Sequence, residues 1–190
     1  MAARNPQTTE KRAREQAIGR PTPSSLSLGV GDVVVYASHG IGRIESKHDA
    51  EGALPERIAL LFDSGLKVTL PLDRARGALR CLSSEAELEE VRRTLCADVP
   101  PPIEPWSRRH RFAQEKLAEG RIGGLAEIVR DGLQRERRLV AASSRSGAPI
   151  EGELCRKAQK LLAAEIAACR GIKPEAADAW IRRQVGAEHT

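Results

Sequence analysis

The run ADVPPPIEP, Ala97 to Pro105, divides this chain. Each proline lacks an amide proton and its ring clashes with the preceding turn, so Pro100, Pro101 and Pro102 cannot continue a helix. They favour an extended connector instead. The hydrophobic period differs on the two sides of that connector, which predicts two units of different class. At 190 residues the chain is long enough for one large domain or two small ones, each with its own core.

Upstream, from Gly29 to about Arg80, the texture is β. DVVVY is a β-branched run, and GIGRIES follows it through ASHG. ERIALLFD and LKVTLP are joined by a turn at Ser64-Gly65, with Leu66, Val68 and Leu70 alternating against Lys67 and Thr69. Several short strands in so little sequence predict a small curled sheet or SH3-like barrel, with Gly40 and Gly42 at a tight bend. SSEAELEEVRRTLC then begins a helix: Ser84 caps it, Glu87 completes a capping box, and the acidic first turn complements the helix dipole.

Beyond the prolines everything reads helical. Leu125, Ile128, Val129, Leu133, Leu139 and Val140 form one apolar stripe; Leu154, Ala158, Leu161 and Leu162 a second; Ala177, Trp180, Ile181 and Val185 a third. Gly120, Gly132 and SSRSGAP punctuate them, and a bundle of four or five helices is the natural packing. The expected class is α+β multidomain, a small SH3/Tudor-like β-barrel followed by an all-α helical bundle. Its expected divisions are a mobile basic tail over 1–28, the β unit over 29–81, a connecting helix and Pro-rich linker over 82–105, and the helical unit over 106–190.

Only 3% of residues are aromatic, so a tryptophan set among arginines asks for an explanation. In EPWSRRHRF, Trp106 precedes Ser107, a good N-cap for the helix RRHRFAQEKLAEG. A residue so placed often staples onto the fourth helical residue, but that residue is Arg111, which is not apolar. Two readings stay open: an indole tucked into the helical core or stacked on an arginine, and an indole exposed to a partner. The second has a physical use on duplex DNA. An aromatic wedge holds a base step unstacked, while arginines at a helix N-terminus hold the flanking phosphates. Arg108 and Arg111, three apart, share a helix face, and Arg109 points about a third of a turn away.

The net charge of +5 is compatible with nucleic acid, and its basic surplus lies in the tail and from residue 106 onward. Arg156, Lys157 and Lys160 are further candidates for phosphate contact, whereas Arg135, Arg137 and Arg138 in RERRL read as a solvated face. For catalysis there is no phosphate-binding G-x-x-x-x-G-K-[ST] loop and no G-x-S-x-G elbow, and HGIG lies between strands, so His39 reads as a turn residue. Cys81, Cys96, Cys155 and Cys169 form no C-x-x-C pair and the histidines no metal-binding spacing. No catalytic residue, metal or cofactor is expected. No run approaches the ~18 apolar residues of a spanning helix, which predicts a cytoplasmic protein with buried, reduced thiols.

These residues resemble a bacterial family. GDVVVYASHGIGRIE with LKVTLPLDRA is similar to the RNA-polymerase-interacting module shared by the CarD and CdnL transcription factors and the transcription-repair coupling factor. PWSRRHRFAQEKLAEGRIGGLAEIVRDGLQRE with CRKAQKLLAAEIA resembles the helical C-terminal domain of CarD and CdnL. The resemblance spans roughly Val30 to Cys169. It implies a Tudor-like barrel docked on the polymerase β subunit and a helical domain set on promoter DNA at the upstream edge of the melted −10 region. It implies that Trp106 wedges at that fork, that Arg108 and Arg111 contact DNA, and that Arg156 and Lys157 belong to a second basic segment; Arg109, beside them in sequence, is expected to add a further DNA contact. On the polymerase side, Thr69 stands where some relatives carry arginine; Pro71 keeps the strand's end, and Lys47, Arg57 or Lys67 supply charge instead. The expected protein is a monomeric, nucleoid-associated regulator that stabilises the open promoter complex; the alternative is an adaptor whose two units bind two protein partners.

Overall fold

The computed structural model describes residues 28–37, 39–99, 105–141 and 149–185, and side chains for all of these except 140–141 and 149–151. The expected tail, apart from Leu28, lies outside the described residues, as do Pro100 to Glu104, most of SSRSGAP and the side chain of Val140.

The β-branched run forms β1 (Val33–Tyr36), followed by β2 (Gly40–His48), β3 (Arg57–Phe62) and β4 (Lys67–Pro71). Each pairs antiparallel with the next. The Ser64-Gly65 turn is present, with Gly65 at φ +80° and its amide donating to Phe62 O at 2.9 Å; only glycine takes that φ without cost. Gly40 begins β2 at φ +83°, and a Cβ at Gly42 would meet the Phe62 ring at 3.0 Å. Gly40 thus stands where the bend enters β2, whereas Gly42 lies within the strand, opposite Val34 and Phe62, and its missing Cβ makes room for that ring.

Two elements escaped sequence reading: the short helix α1 (Leu72–Ala78) and the two-residue strand β5 (Leu79–Arg80), which pairs with β1. The resulting sheet order is β4-β3-β2-β1-β5. Its pairings leave β4 and β5 as edges, so the unit is a half-barrel antiparallel sheet. Val34, Ile44, Ile58, Leu60, Phe62 and Leu70 close one face with Leu72, Ala75 and Leu79.

The helices are α2 (Glu85–Cys96), α3 (Trp106–Glu119), α4 (Ile122–Ala141), α5 (Pro149–Arg170) and α6 (Pro174–Gln184). They share a second core, in which Leu88, Val91 and Leu95 of α2 meet Leu117 of α3, Val129 of α4, Leu162 and Ile166 of α5 and Ile181 of α6. The helix within segment 82–105 thus packs in the core of the helical unit. Its capping box is formed: Ser84 N donates to Glu87 Oε2 at 2.7 Å, and Glu87 N donates to Ser84 Oγ at 3.3 Å. Replacing Ser84 with alanine is expected to cost about 1 kcal/mol, read in thermal denaturation as a fall in Tm of roughly 2–4 °C.

Two of the three arginines of RERRL are employed rather than merely solvated. Arg137 donates to the carbonyls of Val185 (2.7 Å) and Arg182 (3.4 Å), satisfying the open end of α6. Arg138 reaches Asp98 at 3.6 Å, just past α2. Only one of the four cysteines, Cys155, is buried; the other three are half-buried. Burial pushes the Cys155 thiol up to about 11 and the Cys169 thiol likewise to about 11, so both are poor nucleophiles at neutral pH.

Candidate nucleic-acid interface

The helix carrying the expected wedge starts two residues earlier than the sequence suggested. Ser107 does not cap it; Pro105 is the N-cap, at φ −56° and ψ 147°, and Trp106 is the first helical residue. Proline already holds the backbone angles of a cap, and its carbonyl accepts from Arg108 N at 3.1 Å and Arg109 N at 3.2 Å. No side chain caps this end and no acidic residue stands in its first turn. Arg108 and Arg109 stand in that first turn and Arg111 one position beyond it, so the terminus is rich in basic side chains.

Trp106, Ala113 and Leu117 fall on one stripe of α3, at spacings of seven and eleven. Leu117 is buried and Ala113 packs against the core. Trp106 lies three turns further out, roughly 16 Å along the axis from Leu117, and 39% of it is exposed. The apolar stripe has outrun the core it serves. Of the two readings left open by the sequence, exposure is the one the structure contains.

Three pairs at i, i+4 organise the overhang. The indole of Trp106 stacks on His110, with ring centroids 5.0 Å apart and planes 20° from parallel. The Arg108 guanidinium sits 5.7 Å from the centre of the Phe112 ring, itself 42% exposed. Arg111 Nε donates to Glu115 Oε1 at 2.9 Å. Arg108 and Arg111 are exposed and Arg109 is half-buried. Sequence reading did not single out His110, Phe112 or Glu115, although the spacing that pairs them was there to be counted.

The other expected residues divide. Arg156 and Lys157 are both exposed and directly follow buried Cys155 on α5. On the sheet, Lys67, Thr69 and Pro71 alternate outward along the edge strand β4, while Val68 is half-buried and Leu70 buried. Arg57 is the cross-strand neighbour of Pro71 and belongs to the same outer face. Its Nε is buried without a hydrogen-bond partner among the described residues. Lys67 donates to Glu45 at 2.9 Å. Lys47 stands apart: it is in register with Ile58, whose side chain faces the core, and it reaches solvent beside Glu56 at 3.9 Å. Four of the five thus share one face, and the fifth lies at its rim.

Among the described residues no helix is long and apolar enough to cross a membrane, and no group of three or more His, Cys, Asp and Glu could hold a metal ion.

Comparison with known proteins matches both units. The family model described as the CarD-like/TRCF RID domain covers residues 28–82. The model described as the CarD C-terminal domain covers residues 90–182. The chain is also similar to YdeB of Bacillus subtilis (strain 168), a protein named as a candidate transcription factor, with 24% identity over 148 residues, covering 75% of this chain and 92% of that one.

Proposed function

The chain belongs to the CarD family, and on that premise we propose that it is a transcription regulator bridging RNA polymerase and promoter DNA. The half-barrel is read as a Tudor-like module that docks on the polymerase β subunit. The edge strand β4 supports this, because an unpaired edge accepts a further strand from a partner through main-chain hydrogen bonds. Its outward row of Lys67, Thr69 and Pro71 supplies side-chain contacts.

The observation that carries the DNA side is Trp106, exposed at a basic helix terminus and braced by His110. An indole held outward and ordered is suited to stack on a base at the upstream edge of a melted promoter, with Arg108, Arg109 and Arg111 facing the phosphates and Arg156 and Lys157 extending the basic surface. Such a protein acts without catalysis. It binds the open complex better than the closed one and shifts the balance by that difference alone. About 1.4 kcal/mol of differential contact changes the ratio tenfold.

The test is the half-life of competitor-resistant promoter complexes, measured with and without the full chain. A longer half-life is expected; no change, with binding to β intact, would leave the adaptor role as the better reading. The arginines have their own readout. Arg108→Ala should lower the salt dependence of DNA binding by about one unit, one phosphate contact's worth. Arg111→Ala should lower it by at most the same amount, because Glu115 already neutralises part of that charge. A slope untouched by either change returns both residues to the solvent.

A further inference from the structure

Arg80, at the end of β5, and Glu165, in the C-terminal part of α5, are 85 residues apart in sequence and joined across the two units. Arg80 Nη1 and Nη2 donate to the two carboxylate oxygens of Glu165 at 2.6 and 2.7 Å. Only 1% of Glu165 is exposed. Ser83 Oγ donates to the same carboxylate at 2.6 Å. Arg80 also donates to the Gly120 carbonyl at the end of α3, at 2.8 Å through Nη2 and 3.3 Å through Nε. One guanidinium therefore ties the sheet to both α5 and the helix that carries Trp106.

Two close approaches reinforce it. Gly120 stands at φ +62°, and a Cβ there would lie 2.4 Å from the Ala37 Cα in the turn between β1 and β2. On the other side, Leu161 of α5 would meet a Cβ at Gly40 at 3.0 Å. The two hydrophobic cores themselves are separate. Units with separate cores ordinarily move relative to each other unless something directional holds them, and a bidentate arginine–carboxylate pair is directional.

We infer that Arg80, Glu165 and Gly120 form an interdomain clamp that fixes α3, and with it Trp106, at a set angle to the edge strand β4. The clamp's role in transcription rests on the bridging function proposed above; its role in shape does not. A factor that holds two partners at once gains from a linkage matching their separation and loses that gain when the linkage loosens. Arg80 and Glu165 are positioning residues in this scheme, touching neither partner.

The experiment uses the full chain carrying Glu165→Gln, which keeps the side chain's shape and removes its charge, and separately Gly120→Ala, which wedges the units apart through a backbone contact. Small-angle scattering should change from that of one fixed shape to that of a broader ensemble in both, while circular dichroism reports each unit still folded. Binding to the isolated polymerase β fragment and to a forked DNA duplex, measured separately, should stay within about twofold of wild type, and the gain in open-complex half-life should fall on the order of tenfold. Scattering that matches wild type in both variants overturns the clamp. Broadened scattering with an undiminished half-life gain overturns its functional role. A wild-type chain with no effect on half-life sinks the bridging reading, and scattering then still decides the clamp.

Discussion

Replacing Trp106 with alanine is expected to shorten the life of the protein-bound open complex by roughly tenfold while leaving association with the β subunit unchanged. Stacking of a base on an aromatic side chain is worth about 1–3 kcal/mol, and tenfold corresponds to about 1.4 kcal/mol. The indole is free to provide that contact because its stripe on α3 runs past the core: Leu117 is 7% exposed and Trp106 39%. Its removal should therefore cost the fold little. Trp106→Phe should retain part of the effect, since a smaller ring still stacks. His110→Ala, which leaves the indole and removes the ring it rests on, should fall between, through lost ordering rather than lost contact. Half-lives of competitor-challenged complexes measure all three. If alanine at 106 matches wild type, the indole is not at the fork.

What the sequence made legible is what short-range chemistry determines. The capping box of Ser84 and Glu87 formed as read because both partners lie within one turn. The hairpin turn at Gly65 and the buried stripe through Leu125, Val129 and Leu133 follow from local pattern too. The start of α3 shows how one residue's chemistry overrides another's: Ser107 is the better side-chain cap, but Pro105 already holds the required backbone angles and supplies the carbonyl, so Trp106 falls inside the helix. The helix α1 presents only Leu72 and Ala75 to the core, too few positions to establish a period. Arg137 meets the end of α6, and Arg80 meets Glu165, through pairings no window of sequence contains. For the candidate site, exposure of Trp106 turned on where the core ends. That boundary is a property of packing, not of the residues around it.

The clamp pair should also show an asymmetry in stability. Replacing Arg80 with alanine leaves the Glu165 carboxylate, with 2% of its side chain exposed, facing Ser83 and no cation of the pair. Breaking a buried pair from that side costs about 3–5 kcal/mol, most of it the expense of a charge left in low dielectric. Replacing Glu165 with methionine should cost less, because the Arg80 side chain is 33% exposed and its guanidinium can turn toward water while still donating to Gly120 O. Urea unfolding of both variants measures the difference. Equal deficits would mean that the cost lies in lost packing and not in an orphaned charge.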